Sequence, residues 1–545
     1  MTRPSSRETN LPLHELMSQV LAGRALAEQT TLGLPGLGTM QPLNERINPQ
    51  SVLDFLNATL RGIGQVIFVN NPISGLLILL ALVIQSPWVG LMSGLGVVAS
   101  TLTALVLDLD RPTLRNGIFG YNGLLLGAAL GTFGDPVAGT GPWGWAIATF
   151  IFSALTTVIM KTLGTWWAKT VGTPPLTLPF NIATLLALAL ASLPQPWLVV
   201  RTAPAATLTQ GLDWLRLGAA LPIGIGQVFL AGKLVSGILI LLAVALCTPL
   251  GALVALLGGA LGLGTGLLLG IDPESLYAGL WGYNGVLCAM AIGGVFYAPN
   301  LRSVGIGAIA AVLSALVSGL LSLLLGPFGL PVLTVPFCLV TIGLFVVMRR
   351  SLPSLVPVAL HAVTSPEEHW QRYQAAKTVI GNFRQQLGAA LSGQRRFYLL
   401  EAAPTAVQGD LRYLFNHIDV DQSGSLSTQE MADHLYQAGQ VRSKAELEYL
   451  FSCMDSDGSG TIDFAEFGEM MLRHQRLMAN YQEFTTYFLP IDADADDAIS
   501  PQEMNVAMAS VGEAQLSDAE AAYLQRQVGN RPLTWNRFVE MLLIT

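Results

Sequence analysis

Apolar residues in this chain fall in long runs before they fall in short periods. Leu76–Leu107, Gly144–Met160, Ile182–Leu193, Ile238–Gly270, Val304–Leu325 and Cys338–Met348 are rich in Leu, Ala, Val and Gly. A bilayer-crossing helix needs about 20 apolar residues. Several runs reach that length, and others are shorter and broken by Gly or Pro. Between Gly62 and Arg350 only six residues are acidic: Asp108, Asp110, Asp135, Asp213, Asp272 and Glu274. They sit in the connections, as expected when a mid-bilayer charge costs roughly 2.5–3.5 kcal/mol. The pattern predicts an all-α, polytopic membrane block. Residues 1–50 are polar with no signal-like apolar core, so insertion is expected to rest on the internal runs.

The block repeats itself. Gly62-Ile-Gly-Gln-Val-Ile-Phe68 returns as Gly224-Ile-Gly-Gln-Val-Phe-Leu230. Ser74-Gly-Leu-Leu-Ile-Leu-Leu-Ala81 returns as Ser236-Gly-Ile-Leu-Ile-Leu-Leu-Ala243, and Gly120-Tyr-Asn-Gly123 as Gly282-Tyr-Asn-Gly285. All three pairs share an offset of 162 residues. Leu176-Thr-Leu-Pro-Phe180 and Leu333-Thr-Val-Pro-Phe337 follow at an offset of 157. Order and register kept together indicate two homologous halves, 51–205 and 206–350. Each half reads as about five spanning helices with shorter pieces. An odd number of spans predicts inverted halves, related by a two-fold axis in the membrane plane. In such folds, matching Pro- or Gly-interrupted helices mark the substrate route, and both Thr-x-Pro-Phe segments fit.

Composition sharpens this picture. The 545 residues are 52% apolar and only 12% charged, far from a purely soluble protein. Twenty-five of the 36 acidic residues lie after Arg350, so an apolar, slightly basic block precedes an acidic, soluble one. A net charge of −8 argues against nucleic-acid binding. The four cysteines are far apart, match neither a disulfide nor a zinc pattern, and read as packing residues. Gly305-x-Gly307-x-x-Ala310 satisfies a loose dinucleotide pattern, but it lies inside an apolar run where small residues serve helix packing. No catalytic constellation is present, so an enzyme is not expected.

The repeated segments carry uncharged polar and aromatic side chains. A lone Gln or Thr in a membrane helix ordinarily glues helices together. Repetition at constant offset instead favours a path lining for Gln65, Gln227, Thr177 and Thr334. Asn122 and Asn284, flanked by glycines, read as turn or close-packing residues. A Pro two positions after each Thr removes a backbone donor and leaves carbonyls for a cavity to use. Such a route suits a small, neutral, planar hydrogen-bond donor and suits ions poorly.

These motifs resemble the urea transporter family. Leu330-Pro-Val-Leu-Thr334-Val-Pro-Phe337 matches the family signature, while Thr173-Pro-Pro-Leu-Thr177-Leu-Pro-Phe180 lacks its leading Leu-Pro in register. The resemblance covers roughly 50–350. It implies a homotrimer with one urea-conducting pore per protomer, carbonyl ladders along a narrow filter, and flat aromatic slots at either side. Carried over by position, Gln65, Gln227, Thr177 and Thr334 become filter candidates. Phe68 and Tyr121 become slot candidates, with Leu230 and Tyr283 as their mates. Leu230 departs from an aromatic slot, and neighbouring Phe229 is the alternative. Asn71-Pro72 becomes Lys233-Leu234 in the second half, which separates the two turns.

The acidic tail, 405–545, carries three twelve-residue loops resembling EF-hands. Oxygen ligands at positions 1, 3, 5, 9 and 12, a carbonyl at 7 and Gly at 6 are what calcium requires. The first loop offers Asp419, Asp421, Ser423, Ser425, Ser427 and Glu430; the second offers Asp455, Asp457, Ser459, Thr461, Asp463 and Glu466. The third offers Asp492, Asp494, Asp496, Ala498, Ser500 and Glu503, with Asp497 in the Gly position. A fourth unit, Arg526–Arg537, lacks carboxylates and is expected to pair structurally only.

Between the blocks, in the linker 351–404, Glu367–Leu400 reads as a basic amphipathic helix. It is a candidate for the membrane surface, for capture by a calcium-loaded lobe, or for a plain connector. Arg349-Arg350 after the last apolar run favours a cytoplasmic tail. The whole predicts a urea channel in the membrane lipid, modulated by Ca2+. Alternatives are a channel for another small neutral or ammonia-like solute, and a membrane-anchored calcium sensor.

Overall fold

A computed structural model of the chain describes residues 37–49, 51–170, 173–193, 198–200, 212–351, 365–370, 384, 398–437, 451, 454–455, 457–473, 475, 505, 508 and 514–522. It divides into two compact units: Leu34–Tyr373, and Gln374–Thr545 with Met1–Gly33. The first unit runs past the boundary expected at 350, because Ser365–Trp370 packs back on the membrane block.

After a short α1 (Gln41–Arg46), the first half holds α2 (Val52–Gln65), α3 (Pro72–Gln85), α4 (Pro87–Val106), α5 (Arg111–Arg115), α6 (Tyr121–Phe133), α7 (Gly141–Thr170) and α8 (Leu178–Ala191). The second half repeats this order: α9 (Trp214–Gln227), α10 (Leu234–Cys247), α11 (Pro249–Leu268), α12 (Pro273–Tyr277), α13 (Tyr283–Met290), α14 (Leu301–Leu325) and α15 (Val335–Ser351). Five of the seven helices begin 162 residues after their counterparts.

Among the described residues, α4, α7, α11 and α14 are long and apolar enough to cross a membrane. Each half has two helices of that length and several shorter apolar ones. Proline is the reason. The run Leu76–Leu107 breaks at Ser86-Pro87 and the run Ile238–Gly270 breaks at Thr248-Pro249, because the residue before Pro is driven out of helical geometry. α7 and α14 leave most of their apolar length unburied, as a lipid-facing helix does.

The halves meet reciprocally. Ser74 Oγ donates to the Ala243 carbonyl at 2.7 Å, and Ser236 Oγ donates to the Ala81 carbonyl at 2.8 Å. Each serine lies at the start of its helix and each alanine near the end of the other, so α3 and α10 run antiparallel. Exchange of the same contact in both directions is the signature of a two-fold axis, here perpendicular to both helices. One continuous apolar core spans both halves.

The repeated glycines have a structural cause. Gly117, at φ 77°, folds its turn directly against Gly62, and Gly279, at φ 71°, folds against Gly224. A side chain at Gly117 or Gly279 would separate the turn from its helix.

The second unit contains α16 (Tyr398–Ala402), α17 (Thr405–Ile418), β1 (Ser425–Leu426), α18 (Thr428–Gln437) and β2 (Ile462–Asp463). β1 and β2 pair antiparallel, Leu426 opposite Ile462, and both side chains are fully buried with Phe415 and Phe467.

Candidate functional site

The two Thr-x-Pro-Phe segments come together where the halves meet. In each, the residue before Thr is held in the left-handed region, Leu176 and Leu333 both at φ 51°. The tyrosine of each Gly-Tyr-Asn-Gly motif holds that turn: Tyr121 Oη donates to the Leu176 carbonyl and Tyr283 Oη to the Leu333 carbonyl, both at 2.6 Å. The adjacent asparagines accept from the first turns of α8 and α15, Phe180 N–H to Asn122 Oδ1 at 3.2 Å and Phe337 N–H to Asn284 Oδ1 at 3.3 Å. These contacts satisfy donors that a helix start would otherwise leave open.

Thr177 and Thr334 then face each other, their hydroxyl oxygens 2.7 Å apart. Thr177 Oγ1 also lies 3.2 Å from Cys338 Sγ. Asn181 Oδ1 accepts from the Thr334 N–H at 3.1 Å and from its hydroxyl at 3.2 Å, while Asn181 Nδ2 donates to the Thr177 carbonyl at 3.0 Å. All four side chains are buried. Asn181 and Cys338 escaped the sequence reading. Their signal was available: each stands four residues after the motif threonine, on the same helix face.

The two glutamines are placed alike. Gln65 Nε2 donates to the Asn116 carbonyl at 2.9 Å and Gln227 Nε2 to the Ala278 carbonyl at 2.8 Å. Their nitrogens are committed to the backbone, and the amide oxygens are the ends left for another donor. Phe68 and Leu230, three residues on, share left-handed backbone, φ 61° and 58°. Leu230 therefore stands where Phe68 stands. Phe229 occupies the position of Ile67, and both of these are fully buried in the core. Phe68 packs edge-on against Phe296 and Phe337, with centroids 5.8 and 6.2 Å away. Strain repeated at matching positions belongs to ligand clamps more often than to plain packing.

The first half alone carries a polar cluster beside Phe68. Arg61 is completely buried and donates to the carbonyls of Thr39, Met40 and Asn70 and to the side chains of Asn57 and Asn70. Asn70 Nδ2 and Gln41 Nε2 both donate to Asn116 Oδ1. Comparison of the repeats passes over Arg61, because Ile223 is its counterpart. Gly232 and Ala278 stand for Asn70 and Asn116.

In the tail, one carboxylate oxygen each of Asp419, Asp421 and Glu430 lie within 4.8 Å of one another, as do those of Asp455, Asp457 and Glu466. Gly424 and Gly460 take φ 81° and 79° at position 6. Their N–H groups donate to Asp419 Oδ2 and Asp455 Oδ2, which folds each loop inward. Donation from the Ser427 backbone N–H and hydroxyl holds the Glu430 carboxyl below its ordinary range, and the Ser423 hydroxyl and backbone N–H do the same for Asp421. An all-oxygen donor set with two negative charges or more suits a hard divalent cation. The third loop (Asp492–Glu503), the fourth unit (Arg526–Arg537) and most of Glu367–Leu400 lie outside the described residues.

Comparison with known proteins agrees with this geometry. A family model described as urea transporter matches residues 56–349. The chain belongs to the urea transporter family. It is 35% identical over 326 residues to urea transporter 1 of Capra hircus, which covers 59% of this chain and 84% of that protein. It is 34% identical over 323 residues to urea transporter 1 of Rattus norvegicus, covering 58% and 83%. As a member of the urea transporter family it is an integral membrane protein and a transporter rather than an enzyme. This urea transporter domain is joined to an EF-hand domain pair, whose model matches residues 409–472. Beyond that pair, Arg384 donates to the carbonyls of Ala514 and Gln515 and lies 3.6 Å from Glu520.

Proposed function

We propose that this chain conducts urea passively across a membrane through an uncharged, channel-like route, and that Ca2+ binding in the tail modulates it. The observation that carries the reading is the Thr177–Thr334 contact, two buried hydroxyls from matching halves at 2.7 Å. Urea must shed water to enter an apolar block, and bound oxygens have to replace the acceptors it loses. Thr177, Thr334 and the amide oxygens of Gln65 and Gln227 supply acceptors from both halves, with no charge to trap an ion. Phe68 forms the aromatic wall on one side and Leu230 takes its place on the other, while Tyr121 and Tyr283 act by fixing the two turns. Phe229 supports that wall from the core.

The antiparallel α3–α10 contact supports inverted halves in the membrane. The family implies a homotrimer, whose protomers would cover part of the unburied α7 and α14 faces, with lipid on the rest. Asp419, Asp421, Ser423, Ser425, Ser427 and Glu430 would hold one calcium ion, and Asp455, Asp457, Ser459, Thr461, Asp463 and Glu466 a second. The Arg384 contacts support engagement of the linker by the tail module, which we place in the cytoplasm.

Stopped-flow shrinkage of proteoliposomes under a urea gradient, with calcium and with chelator, tests the reading. Rapid urea entry that changes on chelation supports it. Preference for ammonia would replace the substrate. Tight calcium binding without any flux would leave a membrane-anchored calcium sensor.

A further inference from the structure

The chain leaves its last long helix at Ser351 and returns to the membrane block at Ser365–Trp370. That return is well made. Ser365 and His369 are buried. Ser365 Oγ accepts from the Glu368 N–H, which starts the short helical turn. Glu367 Oε1 accepts from the Leu250 N–H at 2.7 Å, at the open start of α11, where a carboxylate also meets the positive end of the helix. Glu368 Oε1 accepts from Thr39 Oγ1 at 2.7 Å. Pro366 rests against Gly294, in the π-turn Ala291–Val295 that continues α13, and the next residue is Phe296, which packs on Phe68.

From Thr39 an unbroken line of hydrogen bonds runs inward. The Thr39 carbonyl accepts from Arg61 at 2.8 Å, and Arg61 donates to Asn70. Asn70 donates to Asn116 at 3.0 Å, and the Asn116 carbonyl accepts from Gln65. The line therefore joins Glu368 to a glutamine of the proposed filter, and Pro366 rests on the turn that leads to Phe296, the residue packed on Phe68. Among the described residues the other half shows no equivalent. Ile223, Gly232 and Ala278 replace Arg61, Asn70 and Asn116, and Lys233 bonds Gln85 and the Ile84 carbonyl instead. The linkage is thus a feature of one mouth, beside the segment that leads to the calcium loops.

We propose that the Ser365–Trp370 turn is a latch through which the calcium module acts on the channel. While Glu367 and Glu368 stay seated, they hold Thr39, Arg61 and Asn70 in place beneath Gln65 and Phe68. A pull on the chain beyond Trp370 unseats them and loosens that mouth. Arg384, fourteen residues further on, is already held by Ala514, Gln515 and Glu520 within the tail unit. This inference rests on calcium modulation in the function proposed above.

The test measures urea flux in proteoliposomes with calcium and with chelator for the full chain, T39V, E368Q and the conservative T39S. Calcium affinity and folded amount are measured on each preparation. The expected result is a flux ratio different from one in the full chain and in T39S, and a ratio of one in T39V and E368Q at unchanged calcium affinity. If the full chain responds and T39V and E368Q respond equally, the latch is overturned while modulation stands. If the full chain itself shows a ratio of one, modulation fails and the latch with it.

Discussion

Replacing Thr334 with Val keeps its shape and removes one hydroxyl. In the structure that hydroxyl bonds Thr177 at 2.7 Å and Asn181 at 3.2 Å. Thr177 Oγ1 keeps Cys338 Sγ at 3.2 Å, and Asn181 Oδ1 keeps the Thr334 N–H at 3.1 Å, so neither partner is wholly abandoned. Stability should then fall by the low end of the usual range for a weakened buried hydrogen bond, about 1 kcal/mol. The effect on flux separates two roles. If the hydroxyl only ties the halves together, flux per folded channel stays the same. If it accepts from the permeating solute, the barrier rises by the worth of one hydrogen bond, about 1–1.5 kcal/mol, and flux drops roughly five- to tenfold. Stopped-flow flux, normalised to folded protein, distinguishes them. T177V should match T334V, since the contact is shared. Unchanged flux per channel in both variants, alongside a lowered melting temperature, would refute the acceptor role.

Three further outcomes are expected. L230G should be more stable than L230A by about 1 kcal/mol in thermal unfolding, because only glycine takes φ 58° without strain. E430Q should weaken calcium at the first loop by about tenfold or more in a calorimetric titration, since position 12 supplies two oxygens at once; the second loop should weaken too, because β1 and β2 bond the loops together. The carboxyls of Asp421 and Glu430 are held below their ordinary range, so they stay ionised as pH falls toward about 5 and lose charge only below the usual carboxylate pKa near 4. Calcium affinity of the first loop should accordingly change little from neutral pH down to about 4 and be lost only below it, as followed by calcium-dependent tyrosine fluorescence.

Much of this was legible because symmetry repeats information. The Gln-Val, Tyr-Asn and Thr-x-Pro-Phe segments could be paired by register alone, and the threonines duly meet. The first two acidic loops were legible for another reason: their ligand spacing is a local property of twelve residues. Contacts made by unpaired residues were not. Arg61, Glu367 and Glu368 have no mates in the repeat, and their partners lie in distant stretches of chain. Asn181 and Cys338 differ from each other, so the repeat hid them although they occupy one position. Phe229 looked like an aromatic substitute for Leu230, but the left-handed turn at Leu230 sets which of two neighbours takes the place of Phe68. Apolar runs do not mark helix ends by themselves, and Pro87 and Pro249 cut two of them.

The contact between Thr177 and Thr334 has one more implication. The join inside the membrane unit is owned by neither half. A single copy, translated by itself, would possess one of each motif yet lack the hydroxyl pair, which exists only where two copies meet. A change of tilt between the halves would alter the distance between those two hydroxyls, and with it the buried hydrogen bond that joins them.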